Sequence, residues 1–222
     1  VNRGLVTFRA SLNYALQKGY LQSAFWKGVP LAEERDTQDK TNSKDYFDLK
    51  TRQDIIDAAS DHLRPIVEAM HMLGCRPAEA RRLTVADIHV DKRLKQPYVR
   101  LMTFKGNRNS GTARKFPLAG KRLEFFRNLV EGRAKDELLF RTEKDIDWSM
   151  ANLNKAHNKV RDQLAIDKNF QTYTWRHCWI QDCVDSGMAT LKIAKLAGTS
   201  ESKILSNYTT GMDIDADEIP EF

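Results

Sequence analysis

Two runs of strand-forming residues, Pro97 to Phe104 (PYVRLMTF) and Thr112 to Leu118 (TARKFPL), flank the segment Lys105-Gly106-Asn107-Arg108-Asn109-Ser110-Gly111. Glycine and asparagine accept the left-handed backbone that a tight reversal needs, so this arrangement predicts a β-hairpin with Lys105 at its tip end. The segment lacks the GxxxxGK[ST] order of a nucleotide-phosphate loop. Five basic side chains crowd the hairpin: Arg100, Lys105, Arg108, Arg114 and Lys115. That density points to a contact with the grooves or backbone of a nucleic acid, with Arg100, Arg108, Arg114 and Lys115 as the DNA-binding set.

The rest of the chain follows a helical period. The stretch from Thr7 to Tyr20 puts Phe8, Leu12, Ala15 and Leu16 on one face, with Gly19 as its stop. Residues 30–47 are polar and read as a linker, which divides residues 1–29 from a main domain at 48–212. In that domain Asp48 caps a helix carrying Ile55, Ile56 and Ala59. A second helix from Arg64 to Leu73 turns Ile66, Val67, Ala69, Met70 and Leu73 inward. Gly74 stops it, and Pro77 opens the next helix where a missing N–H costs nothing, so Arg76 sits in a sharp turn. Further helical runs are Lys121 to Val130, Met150 to Leu164 with Leu153, Ala156, His157 and Val160 as its stripe, and three short ones: Trp175 to Val184, Ala189 to Leu196 and Ser200 to Tyr208. The expected fold is therefore mainly α with a small antiparallel β-sheet, an α+β class.

Charge narrows the partners. The 222 residues carry 36 basic and 30 acidic side chains, but residues 213–222 hold five acids and no base. The first 212 residues then have 36 bases against 25 acids, a balance of +11. Such a body favours a polyanion, and nucleic acid over a membrane because no apolar run approaches a spanning length. Cys75, Cys178 and Cys183 form no CxxC pair, and the five histidines show no ligand spacing, so neither a disulfide framework nor a metal site is expected. No signal peptide is visible, and the opening at Val1 without methionine is what a trimmed fragment would show. The expected setting is a reducing cytoplasm.

The chemistry-bearing residues concentrate between Thr172 and Tyr208. An arginine, a glycine turn and a late tyrosine there match the needs of an anion-handling site: a planar bidentate donor for a phosphate and a phenol as nucleophile. Displacement at a phosphodiester builds charge on the non-bridging oxygens, which Arg76 and Arg176 can neutralise without a metal. Tyr208 is the attacking phenol. Lys105 is the proton donor to the leaving oxygen, Tyr173 and Thr199 hydrogen-bond the phosphate, and Glu79 and His177 hold the arginines and the helix in place.

These residues resemble, in order and spacing, the catalytic domain of the tyrosine recombinase, or phage integrase, family. The resemblance covers roughly Asp48 to Gly211. Its first motif is Gly74-Cys75-Arg76-Pro77-Ala78-Glu79 with Leu83 and Asp87; Lys105 matches the hairpin lysine, Arg176-His177 the second arginine pair, Ala197-Gly198-Thr199 the following turn, and Tyr208 the nucleophile. The arginines stand 100 residues apart and Tyr208 follows the second by 32. Two positions depart from the family: Tyr173 where histidine is usual, and Thr199 where histidine or tryptophan is usual. The resemblance implies a site-specific DNA recombinase that joins its tyrosine to a 3′-phosphate, leaves a free 5′-hydroxyl and needs no cofactor. It also implies double-stranded DNA as partner, a monomer when free, and a homo-tetramer on recombination sites in which the segment after the tyrosine passes to a neighbour. Residues 1–29 then resemble the end of a core-binding helical domain, and residues 213–222 form an acidic tail. A type IB topoisomerase shares the chemistry, and a DNA-binding relic of the fold shares the pattern.

Overall fold

Local signals account for most element boundaries in the computed structural model, which describes residues 2–23, 46–91, 93–104 and 111–209. Contacts divide the chain into two units, Val1–Thr41 and Asn42–Phe222. In the first, helix α1 runs Asn2–Gln17, beginning before the expected Thr7. It ends in a glycine cap: Gly19 takes φ +75°, its N–H returns to Leu16 O at 3.1 Å, and the Tyr20 N–H returns to Ala15 O at 2.9 Å.

The second unit opens with α2 (Leu49–Ala58), where Asp48 Oδ1 accepts from the Thr51 N–H at 2.7 Å. Helix α3 (Arg64–Leu73) buries Ile66, Val67, Met70 and Leu73, each worth about 1.5–3 kcal/mol when removed from water. Gly74 ends α3 in the left-handed conformation, and any side chain there would collide with the Trp179 ring, 2.3 Å from a Cβ. Pro77 starts the one-turn helix α4 (Pro77–Ala80). Arg76 is thus the extended residue between two helices, as its flanking Gly and Pro predict.

The sheet has three strands rather than the two expected. Strand β1 (Ile88–His89) pairs antiparallel with β2 (Tyr98–Phe104), which pairs with β3 (Gly111–Pro117). A two-residue strand has no periodicity to read; it is placed by the 3₁₀ turn Val85–Asp87 before it, where Asp87 accepts from Thr84 N–H and Oγ1. The expected tip of the hairpin, with Lys105 and Arg108, lies outside the described residues, as does the tail after residue 209.

Helices α5 (Gly120–Val130), α6 (Met150–Gln163), α7 (Thr174–Asp185), α8 (Thr190–Ala197) and α9 (Glu201–Tyr208) complete the unit, each within two residues of its expected span. Helix α7 is buried on several faces, through Trp175, Cys178, Trp179, Ile180, Cys183 and Val184, which marks it as the central helix. Trp175 is fully buried and donates from Nε1 to His157 Nε2 at 3.0 Å. Burial lowers the pKa of His157 to about 4, so it serves as a neutral core acceptor.

Candidate active site

The ends of helices α3 and α8 create the site, because a helix C-terminus leaves carbonyls without intrahelical partners. Three consecutive carbonyls at the C-terminal end of α8, on its last two residues and its cap, each accept from a different arginine. Leu196 O takes Arg114 Nε at 2.7 Å, Ala197 O takes Arg176 Nη1 at 2.6 Å, and Gly198 O takes Arg76 Nη2 at 2.9 Å. Arg176 Nη1 also donates to Gly74 O at the end of α3, 2.9 Å away. These are the negative ends of helix dipoles, so each contact is charge-assisted. Gly198 is required at its place: its φ is +67°, and a Cβ would lie 2.7 Å from Arg114 Nη1.

A single carboxylate ties Arg76 to Arg114. Glu79 accepts from the Arg76 N–H (2.9 Å) and Nη1 (2.9 Å), from Thr103 Oγ1 (2.7 Å), and from Arg114 Nη1 (3.0 Å) and Nη2 (2.7 Å). Burial alone would raise its pKa; Arg114, Thr103 and the Arg76 N–H outweigh burial and hold it at about 2. Three guanidiniums against one carboxylate leave the cluster positive.

Beside this cluster lies a cavity of about 150 Å³ lined by Arg76, Tyr173, Arg176, His177, Ile180, Thr199, Lys203, Ile204, Asn207 and Tyr208. It brings together six of the eight residues expected to serve catalysis. Glu79 stands behind it, holding Arg76, and Lys105 lies outside the described residues. Arg176 spends Nη1 on carbonyls, and among the described residues its Nε and Nη2 edge has no hydrogen-bond partner, an edge that suits two oxygens of one phosphate. Burial, then the charge of Arg76, lowers the Arg176 pKa, but a guanidinium stays protonated. Tyr208, on the last turn of α9, places its hydroxyl 2.6 Å from His177 Nδ1. Burial raises the Tyr208 pKa above its ordinary value, against the opposing charge of Arg176. The Tyr173 ring meets His177 edge-on, centroids 5.1 Å apart.

Arg114, expected among the DNA contacts, lies instead inside the protein, with a side chain 11% exposed and its donors spent on Leu196, Thr103 and Glu79. Strand alternation is the reason: Arg114 shares a face with the buried Phe116. Arg100 and Lys115 sit opposite each other on the outer face; Arg100 pairs with Asp87 at 2.9 Å, and Lys115 lies over the Tyr98 ring. Lys203 and Asn207, which the sequence reading did not single out, line the cavity from α9. Their signal is helical spacing: Lys203 is four residues from both Thr199 and Asn207.

Among the described residues no group of His, Cys, Asp or Glu is placed to hold a metal ion, and no helix is long and apolar enough to cross a membrane.

The fold is that of solved DNA-acting recombinases and integrases. The Tn1549 transposon integrase in complex with circular intermediate DNA superposes with a TM-score of 0.69 at 14% identity, covering 98% of this chain and 76% of that one. The XerA recombinase gives 0.59 at 16% identity, covering 78% and 60%, and a lambda integrase dimer bound to a core site gives 0.62 at 12%, covering 89% and 71%. The chain thus spans less than two thirds of the XerA structure, and 51% of the XerH recombinase bound to its difH substrate. No curated protein matches the chain by sequence. Residues 46–213 match the phage integrase family, and the chain belongs to it.

Proposed function

We propose that this chain carries the catalytic domain of a site-specific recombinase that cuts and rejoins double-stranded DNA through Tyr208. The observation that supports this most is the cavity in which two pinned arginines and the Tyr208 hydroxyl meet. Arg76 and Arg176 take the non-bridging oxygens of the scissile phosphate and neutralise the charge that grows on them. Tyr208 Oη attacks phosphorus, forming a 3′-phosphotyrosine and releasing the 5′-oxygen, to which Lys105 gives a proton. A 5′-hydroxyl from a partner duplex then attacks the phosphotyrosine and completes the exchange. Tyr173 and Thr199 hold the phosphate by hydrogen bonds, and Glu79 fixes Arg76.

Arg100 and Lys115, opposite each other on the outer face of the sheet, contact the DNA backbone, and Arg108 is assigned to the same contact from its sequence alone. The protein is a monomer when free and a homo-tetramer on paired sites, its acidic tail passing to a neighbour. Residues 1–29 are the end of a core-binding domain. The test is a nicked half-site, on which the chain should form a slowly migrating covalent species that Tyr208→Phe abolishes; trapping that survives in the Phe variant overturns the reading. Relaxation of supercoiled DNA without exchange between two sites would make it a topoisomerase instead.

A further inference from the structure

Resting on that reading of the site, we infer that His177 is the general base that takes the proton from Tyr208 as the phenol attacks. The Tyr208 hydroxyl and His177 Nδ1 are 2.6 Å apart, within the range at which a proton passes directly between heavy atoms. Their rings lie 5.9 Å apart at 33°, so the imidazole edge meets the hydroxyl. With the hydroxyl donating, Nδ1 is the bare nitrogen and Nε2 carries the hydrogen. Burial keeps the phenol protonated, so its nucleophilicity depends on an acceptor. Of the groups lining the cavity, Arg76, Arg176 and Lys203 are donors, and the Tyr173 and Thr199 hydroxyls and the Asn207 amide are weak bases. His177 is the imidazole among them.

The charged and titratable groups that line the cavity with it are Tyr173 at the cap and Arg176 in the first turn of its own helix, Arg76 at the start of α4, and Lys203 and Tyr208 on α9; among the described residues no carboxylate lines the cavity to compete for the proton. In the forward step the O–H bond of Tyr208 breaks, its proton moves to Nδ1, the Oη–P bond forms and the P–O5′ bond breaks. The 5′-oxygen is protonated by the separate acid assigned to Lys105. In the return step the imidazolium gives its proton back to the departing phenolate. His177 touches a reacting atom, so its role is catalytic rather than the supporting one read from the sequence.

The test is single-turnover cleavage of a nicked half-site by the whole chain, followed across pH. In the unaltered protein the rate should rise through the ionisation of an imidazole. His177→Asn keeps an acceptor near the place of Nδ1 but cannot take a proton; it should slow cleavage about 100-fold or more and remove that limb of the profile. Replacing Tyr208 with tetrafluorotyrosine, whose far more acidic phenol depends much less on a base even where burial raises its pKa, should restore most of the loss in the Asn variant. Should the Asn variant fail to fold, tetrafluorotyrosine in the unaltered background gives the same reading, since the imidazole limb should disappear. A limb that persists there, or an Asn variant that cleaves with the unaltered profile, overturns the base assignment alone. A folded protein that forms no covalent species at all takes down the site reading with it.

Discussion

Replacing Glu79 with glutamine should cost about 3 kcal/mol of stability and alter how the protein responds to acid. The carboxylate accepts five hydrogen bonds, and its side chain is 4% exposed. An amide has one acceptor oxygen. If that oxygen stands at Oε1, the Arg76 N–H and Arg114 Nη2 are left facing an NH₂ group; turned the other way, three donors are. The same interactions lower the Glu79 pKa from an ordinary 4.5 to about 2. At about 1.4 kcal/mol per unit this amounts to about 3 kcal/mol, near the cost of breaking a buried ion pair. Because the folded pKa is the lower one, this contribution is complete above pH 4.5 and is lost as pH falls toward 2. Urea unfolding at a series of pH values should show the unaltered chain weakening through that window, with the Gln variant already weak and flatter across it. A loss under about 1 kcal/mol with an unchanged acid limb would refute the claim that Glu79 is the anchor of the arginine cluster.

Three further outcomes are expected. Gly198→Ala should lose about 1–2 kcal/mol from its left-handed backbone alone, with a further drop in cleavage because the new Cβ presses on Arg114, as measured by urea unfolding and half-site trapping. Lys203→Ala should slow single-turnover cleavage, and adding Thr199→His should recover it, if the lysine supplies the donor that a short threonine hydroxyl does not; one such donor is typically worth about 100- to 1000-fold. Lys105→Ala should be slow on ordinary DNA but fast where sulfur replaces the bridging 5′-oxygen, since a thiolate leaves without a proton; equal defects on both substrates would assign Lys105 to binding.

The legible parts of this protein were those with local causes. Gly74 and Pro77 mark the turn that presents Arg76, and Gly198 marks the end of α8, because a left-handed residue and a lost N–H are properties of single positions. The hairpin was legible in its composition. Strand β1 was not, since two residues carry no period and its place depends on a turn set by Asp87. Arg114 lies away from its expected place although the sequence carries the signal: alternate residues of a strand share a face, and Phe116 identifies that face as the inner one. Its basic charge was read as a surface property, when the carbonyls of α8 and the Glu79 carboxylate supply a buried partner. The contact between His177 and Tyr208 spans 31 residues and arises from the packing of α7 against α9, which no spacing in the sequence reports.

One phenol, Tyr208, should become bonded to the 3′ side of a cut DNA strand. Digestion of the trapped half-site complex, followed by mass spectrometry of the peptide carrying a nucleotide, tests it directly. The adduct should lie on Tyr208 through a 3′-phosphate, with a free 5′-hydroxyl on the released strand. An adduct on Tyr173 or any other residue, a 5′-phosphate linkage, or no adduct from folded protein on a cognate site would contradict the account.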